Sequence, residues 1–317
     1  MRTRKLGRDG PELSLVGFGA WEAGAGGEWG DAPPDDQILE AIRTVFDIGI
    51  NWIDTAEVYG KGHSEELVGR ALAGHRDEVL IATKVAPRPE GTGFRPEHVH
   101  EACRKSLQRL GIAHVDIYQL HWPDGTGVPV EETWGAMGEL ADQGLVRAIG
   151  VSNFDRQLIE RCEAVRHVDS LQQEFSMLVL HDRDLIRWCG ERGIGVVTYG
   201  PLAYGLLAGA ITMETAFDEG DHRADPSEGT WTALYEPSKR ARSLAVVEAM
   251  RPIAERLGCT PAQLALAWNF RQAGVTSTIA GSRNPAHVRS NASAGEILLD
   301  DGTLAELEDA LKLGPSF

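Results

Sequence analysis

Eight short apolar runs recur along the 317 residues, each followed by a loop and then by a stretch with helical spacing. That repeat constrains the fold more than any single residue does. The runs cover 15–19, 51–54, 79–84, 115–121, 146–152, 170–174, 195–199 and 277–281. Several are continuously apolar, as parallel strands are when helices cover the sheet. Between them, 35–48 places Ile38, Ile42, Val45 and Phe46 on one helical face, and Pro96 opens a helix running to Leu110. Two more helices, 245–257 and 261–271, are separated by Gly258, with Thr260 as N-cap. Ahead of the repeat, 2–16 predicts a hairpin turning at Arg8-Asp9-Gly10.

Length alone suggests about two domains, yet one closed barrel of alternating strands and helices takes about 250 residues or more. No composition break divides the chain. The reading is therefore an α/β fold: a single (β/α)8 TIM barrel domain, 1–317, with an N-terminal β-hairpin. An open doubly wound sheet is the competing arrangement and would want a Gly-rich turn after its first strand. Gly17-Phe18-Gly19-Ala20-Trp21-Glu22 has Glu at the third glycine, and the run from Gly24 to Gly30 misses the spacing by one. That run reads instead as a loop above the first strand. The uncharged window 193–213 is interrupted by Pro201 and by Gly193, Gly195, Gly200, Gly205 and Gly209, so it predicts a buried strand and loop, not a membrane span. One long polar connection, 205–238, stands out as functional in length and composition.

The formal charge of −16 argues against nucleic-acid and membrane partners. Cys103, Cys162, Cys189 and Cys259 form no CxxC pair, and each falls in a stretch read as helix. They predict reduced thiols of a cytoplasmic protein, with no zinc framework. The first ten residues lack the apolar core of a signal peptide.

In such a barrel, chemistry gathers at the carboxyl ends of the strands. Three consecutive strands end there in Asp54, Lys84 and His121, with Tyr59 just beyond the first. These residue types suit proton transfer to an oxygen. A free phenol is a poor acid near neutral pH, and an adjacent ammonium favours its ionised form. Asp54 could hold that ammonium, and His121 could hydrogen-bond the substrate oxygen.

These residues carry a resemblance. Asp54-Thr55-Ala56-Glu57-Val58-Tyr59-Gly60, Thr83-Lys84, Gln119-Leu120-His121-Trp122-Pro123-Asp124 and Ile149-Gly150-Val151-Ser152-Asn153-Phe154 are similar to the aldo-keto reductases. The likeness continues through Thr198-Tyr199-Gly200-Pro201-Leu202 and Gly205-Leu206-Leu207-Ala208-Gly209 to Gly281-Ser282-Arg283-Asn284-Pro285. It implies an NADPH-dependent, bacterial-type carbonyl reductase, NADH being the alternative cofactor. The implied tetrad is Asp54, Tyr59, Lys84 and His121, with Tyr59 protonating the oxygen as hydride reaches the carbonyl carbon.

The resemblance also implies cofactor contacts. Ser152, Asn153 and Gln172 would hold the carboxamide, Gln172 being preferred to Gln173, and Tyr199 would stack on the nicotinamide. Gly200, Pro201, Leu202, Gly205 and Leu207 would line the pyrophosphate path, and Gly19, Ala20, Trp21 and Asp54 would also contact the cofactor. Segment 205–238 would fold over the cofactor. Gly281, Ser282 and Arg283 would take the 2′-phosphate at a helix start. His287, where related sequences commonly carry Gln, and Asn291 would face the adenosine. Trp21, Trp29, Tyr59, His121, Trp122 and Trp231 would ring a pocket for a small carbonyl compound. The chemistry needs no metal. Two alternatives remain open at this point: a nicotinamide-binding sensor or accessory subunit, and a Schiff-base enzyme using Lys84.

Overall fold

The computed structural model describes residues 1–24, 29, 33–87, 93–227 and 232–315. Its strands are β1 (Thr3–Lys5), β2 (Glu12–Ser14), β3 (Val16–Gly19), β4 (Trp52–Asp54), β5 (Leu80–Val85), β6 (Val115–Leu120), β7 (Val146–Ser152), β8 (Ser170–Glu174), β9 (Gly195–Tyr199) and β10 (Val275–Ile279). β1 and β2 pair antiparallel, while β3 to β10 close into a parallel barrel, with β10 bonded to both β9 and β3. The open doubly wound sheet is thereby excluded. Helices follow the barrel strands and bury their apolar faces against them in one continuous core.

A second, smaller core fills the barrel. It joins Trp52, Ala82, Ile117, Ala148, Val197 and Ile279 to Leu6 and Leu13 of the hairpin. The hairpin therefore plugs the amino end and leaves the carboxyl end open. Trp52 takes its place because Gly17 has no side chain: a Cβ there would lie 2.0 Å from the indole. The indole nitrogen donates to Ser14 O at 3.2 Å and Ser277 Oγ at 3.1 Å.

Several boundaries differ from the sequence reading for identifiable reasons. The hairpin loop runs from Leu6 to Pro11, closed by Leu6 N–H donating to Pro11 O at 2.8 Å, because Leu6 is drawn into the plug. The expected helix over 35–48 breaks at Thr44 into Asp35–Arg43 and Val45–Ile48. The Thr44 hydroxyl bonds back to Glu40 O at 3.0 Å, a contact that competes with regular helix bonding. The last strand lies two residues earlier than expected. A Cβ on Gly281 would meet Gly19 O at 2.1 Å, so beyond Ile279 the chain crosses the end of β3.

The helix expected at 245–257 begins at Pro237, because its first turns are polar and lack an apolar stripe; it runs through Pro252 to Leu257. The next, Pro261–Asn269, is shorter than expected but carries the Thr260 cap, completed by Gln263 as a capping box. Cys259 lies in the link between these two helices, not in a helix. All four cysteines are free thiols. No described helix is long and apolar enough to cross a membrane.

Candidate active site

β4 and β5 run in register, with Asp54 opposite Ala82, so Asp54 and Lys84 reach the carboxyl mouth together. Past Asp54, Thr55 N–H bonds Ala82 O at 2.9 Å and Glu57 N–H bonds Lys84 O at 3.3 Å. The chain then turns through Tyr59–Gly62, with Gly60 and Lys61 at φ 58° and 57°. A Cβ on Gly60 would lie 1.8 Å from Gly24 O, so this tight approach requires glycine. The turn returns Tyr59 over Lys84.

Lys84 is wholly buried, and its Nζ donates to Asp54 Oδ2 at 2.7 Å, Thr55 O at 2.9 Å and Tyr59 Oη at 3.2 Å. Three acceptors match the three N–H bonds of an ammonium. The other Asp54 oxygen accepts from Gln172 Nε2 at 2.8 Å. Burial pushes the Asp54 carboxyl up and the Lys84 ammonium down, and each partner's charge opposes the other's shift. The hydrogen bonds hold them as a charged pair in which every site on the ammonium is used.

His121 follows β6, its N–H bonded to Val85 O at 2.9 Å. Its ring meets the Tyr59 ring edge-on at 5.6 Å, and its buried Nδ1 has no hydrogen-bond partner among the described residues. Burial, then the nearby Lys84 charge, holds its pKa well below the usual histidine range. The imidazole is neutral, so one ring nitrogen can donate to an incoming oxygen and the other accept.

Asp54, Tyr59 and His121 line the floor of a cavity of about 1260 Å³, with Lys84 buried beneath them. Its wall includes Gly19, Trp21, Ser152, Asn153, Gln172, Tyr199, Gly200, Pro201, Leu202 and Gly205. Asn153 adopts φ 61°, which aims its amide inward: Nδ2 donates to His121 O at 3.0 Å, and Oδ1 accepts from Tyr199 Oη at 2.8 Å. Strand alternation separates the two glutamines. Gln172 faces the tetrad, whereas Gln173 points outward and bonds Asp182 at 2.6 Å. Ala20 and Leu207 are not on this wall; both side chains belong to the hydrophobic core.

The far end is lined by Gly281, Ser282, Arg283, His287 and Asn291, at the start of helix Pro285–Ser293. Arg283 does not point only toward that helix. Its Nη2 donates to Trp29 O at 2.7 Å, which ties the last barrel connection to the first.

Aromatic rings form the other wall. Trp21 stacks on Tyr59 at 6.1 Å and meets Trp29 edge-on at 5.0 Å. Trp122 is 38% exposed at the mouth. Trp231, and residues 25–28 of the loop above β3, lie outside the described residues.

Several cavity residues escaped the sequence reading, Tyr204 and Glu22 among them. Tyr204 sits at φ 56°, its hydroxyl bonded to Glu174 at 2.9 Å and its ring stacked on Trp29 at 6.3 Å. Nothing in its sequence neighbourhood signals that turn. Glu22 lies in the short helix Trp21–Gly24. An acidic residue next to a strand-end tryptophan was the available signal.

A family model described as the aldo/keto reductase family matches residues 15–312. The chain is 34% identical to the NADH-specific methylglyoxal reductase of Escherichia coli strain K12, over 98% of this chain and all of that one. Its fold matches the glycerol dehydrogenase of Gluconobacter oxydans with TM-score 0.86 at 29% identity, covering 99% and 98% of the two chains. An aldo/keto reductase from Klebsiella pneumoniae, solved with NADP and acetate, matches with TM-score 0.74 at 30% identity, covering 99% and 98%.

Proposed function

The chain belongs to the aldo/keto reductase family, and on that premise we propose that it reduces aldehydes and ketones to alcohols with a nicotinamide dinucleotide, Tyr59 donating the proton. The observation that carries this reading is the Lys84 ammonium, anchored by Asp54 and donating to the Tyr59 oxygen at 3.2 Å. It stabilises the negative charge left on that oxygen when the proton goes to substrate.

The cavity suits the dinucleotide. It is larger than the roughly 300–1,000 Å³ of ordinary small-ligand sites, and its polar groups lie at both ends. Ser152, Asn153 and Gln172 would hold the carboxamide, and Tyr199 would pack on the ring. Gly200 to Leu202 and Gly205 would take the pyrophosphate, and Ser282, Arg283, His287 and Asn291 the adenosine end. When bound, the dinucleotide supplies the hydride. Neutral His121 orients the carbonyl oxygen, and Tyr59 delivers the proton to it. Trp21, Trp29 and Trp122 exclude water and hold a flat or apolar substrate.

Arg283 favours NADPH, since a guanidinium fork suits a 2′-phosphate. The Escherichia coli relative is NADH-specific by name, so cofactor choice is tested directly below. The whole chain, 1–317, would act as one catalytic domain, with 205–238 covering the cofactor. Four free thiols suit a reducing compartment, the cytoplasm. A Schiff base at Lys84 is disfavoured because the side chain is wholly buried and its ammonium already has three acceptors.

The test is a spectrophotometric screen of aldehydes, ketones and sugars with NADPH and NADH, run in both directions. Turnover of several carbonyls is expected. Tight dinucleotide binding without turnover of any would favour the sensor reading instead.

A further inference from the structure

Among the described residues, the cavity wall carries one carboxylate that the reaction does not use. Glu22 is half-buried there, and it makes no hydrogen bond with the described residues. Two guanidinium groups, Arg283 and Arg223, act on it electrostatically, and both line the same cavity. They come from different connections: Arg283 follows β10, and Arg223 belongs to the turn His222–Ala224. Arg223 is held by a two-pronged contact with Asp221, at 2.9 and 2.6 Å. Two cations aimed into one groove make an anion site, and a carboxylate in that groove competes for them.

We propose that Glu22 gates the dinucleotide: its carboxylate lines the groove that the phosphates enter together with Arg283 and Arg223, which both reach Trp29, and the complex forms with uptake of one proton by Glu22. This rests on the reading of the cavity as a dinucleotide site. Incoming phosphate brings negative charge toward a half-buried carboxylate, and like charges brought together favour the protonated form. Burial already pushes the Glu22 carboxyl up to about 7 in the free protein, against the pull of Arg283 and Arg223.

Other charged and titratable groups surround the short helix. Tyr59 and Lys61 lie in the turn packed against it. His63, Glu65, Glu66 and Arg70 lie on the helix behind it. Glu65 is committed to Arg109 at 2.6 Å and to Thr83 at 2.6 Å. His63 and Arg70 both hold Asp35. Along the cavity, His222 lies 6.4 Å from the Trp21 ring and is the residue most able to imitate the effect.

The experiment measures dissociation constants for NADH and NADPH by cofactor fluorescence from pH 6 to 9. Calorimetry in two buffers of different ionisation enthalpy counts the protons taken up. The wild-type protein should bind either dinucleotide more weakly as pH rises, approaching tenfold per unit above pH 7, with net proton uptake. Glu22→Gln should flatten that dependence, abolish the uptake and bind about tenfold tighter at pH 8. NADH serves as the arm in which no 2′-phosphate titrates. Unchanged pH dependence in Glu22→Gln overturns the proposal, as does its loss in His222→Asn. If the wild-type protein binds neither dinucleotide at any pH, the proposed function itself fails, and this inference with it.

Discussion

Lys84 Nζ lies 2.7 Å from Asp54 Oδ2, and both side chains are buried. Neither charge has water to fall back on. Lys84→Met leaves Asp54 uncompensated and should destabilise the protein by about 3–5 kcal/mol, measured by urea unfolding. Adding Asp54→Asn should recover part of that loss. A single-variant effect like that of a surface pair, below about 1 kcal/mol, would show that the pair contributes little to stability.

Tyr59→Phe removes the proposed acid and keeps the ring that stacks on Trp21. Loss of a positioned acid should lower turnover roughly 10²–10⁴-fold, with the dinucleotide dissociation constant unchanged. Wild-type turnover would remove Tyr59 from the mechanism.

The His121 pKa is held well below its ordinary value by burial and by Lys84. In the unfolded chain it protonates near 6.5. Below that pH the unfolded state binds the extra proton and the folded state does not. Stability is therefore lost as pH falls from about 6.5 toward the folded-state pKa. His121→Gln should reduce the drop in melting temperature between pH 7 and 5. An identical drop in the variant would place its cause elsewhere.

Arg283→Ala should raise the Michaelis constant for NADPH more than that for NADH. It also removes the donor to Trp29 O, so substrate Michaelis constants should shift with either cofactor. Equal losses for both dinucleotides would show that Arg283 does not read the 2′-phosphate.

Burial pushes the thiols of Cys103, Cys162 and Cys189 up to about 12. Little thiolate forms at pH 8, so these three should resist a disulfide reagent in the native protein. At most Cys259, which is half-buried, should react before unfolding. Rapid modification of two or more thiols would contradict this packing.

The barrel was legible because its signal is local and repeated. Val146–Ser152, Ser170–Glu174 and Gly195–Tyr199 match their expected spans to the residue. Asp54, Lys84 and His121 could be brought together on paper because strand order in a parallel barrel carries consecutive strand ends to one mouth. Boundaries failed where polar residues hid a helix, as in the turns after Pro237.

What the residue string by itself determined is thus the fold, which follows from periodicities of two and 3.6 residues; the candidate tetrad and the preference for Gln172 over Gln173 are expectations that the family likeness carries. Only the tertiary structure decided that Arg283 reaches Trp29, 254 positions away in the chain. It alone seated Tyr204 on that tryptophan and brought Glu22, Arg223 and Arg283 to one cavity wall. These contacts join loops from different strands across the mouth. No local pattern encodes them, because their energy comes from segments that meet only when the barrel closes.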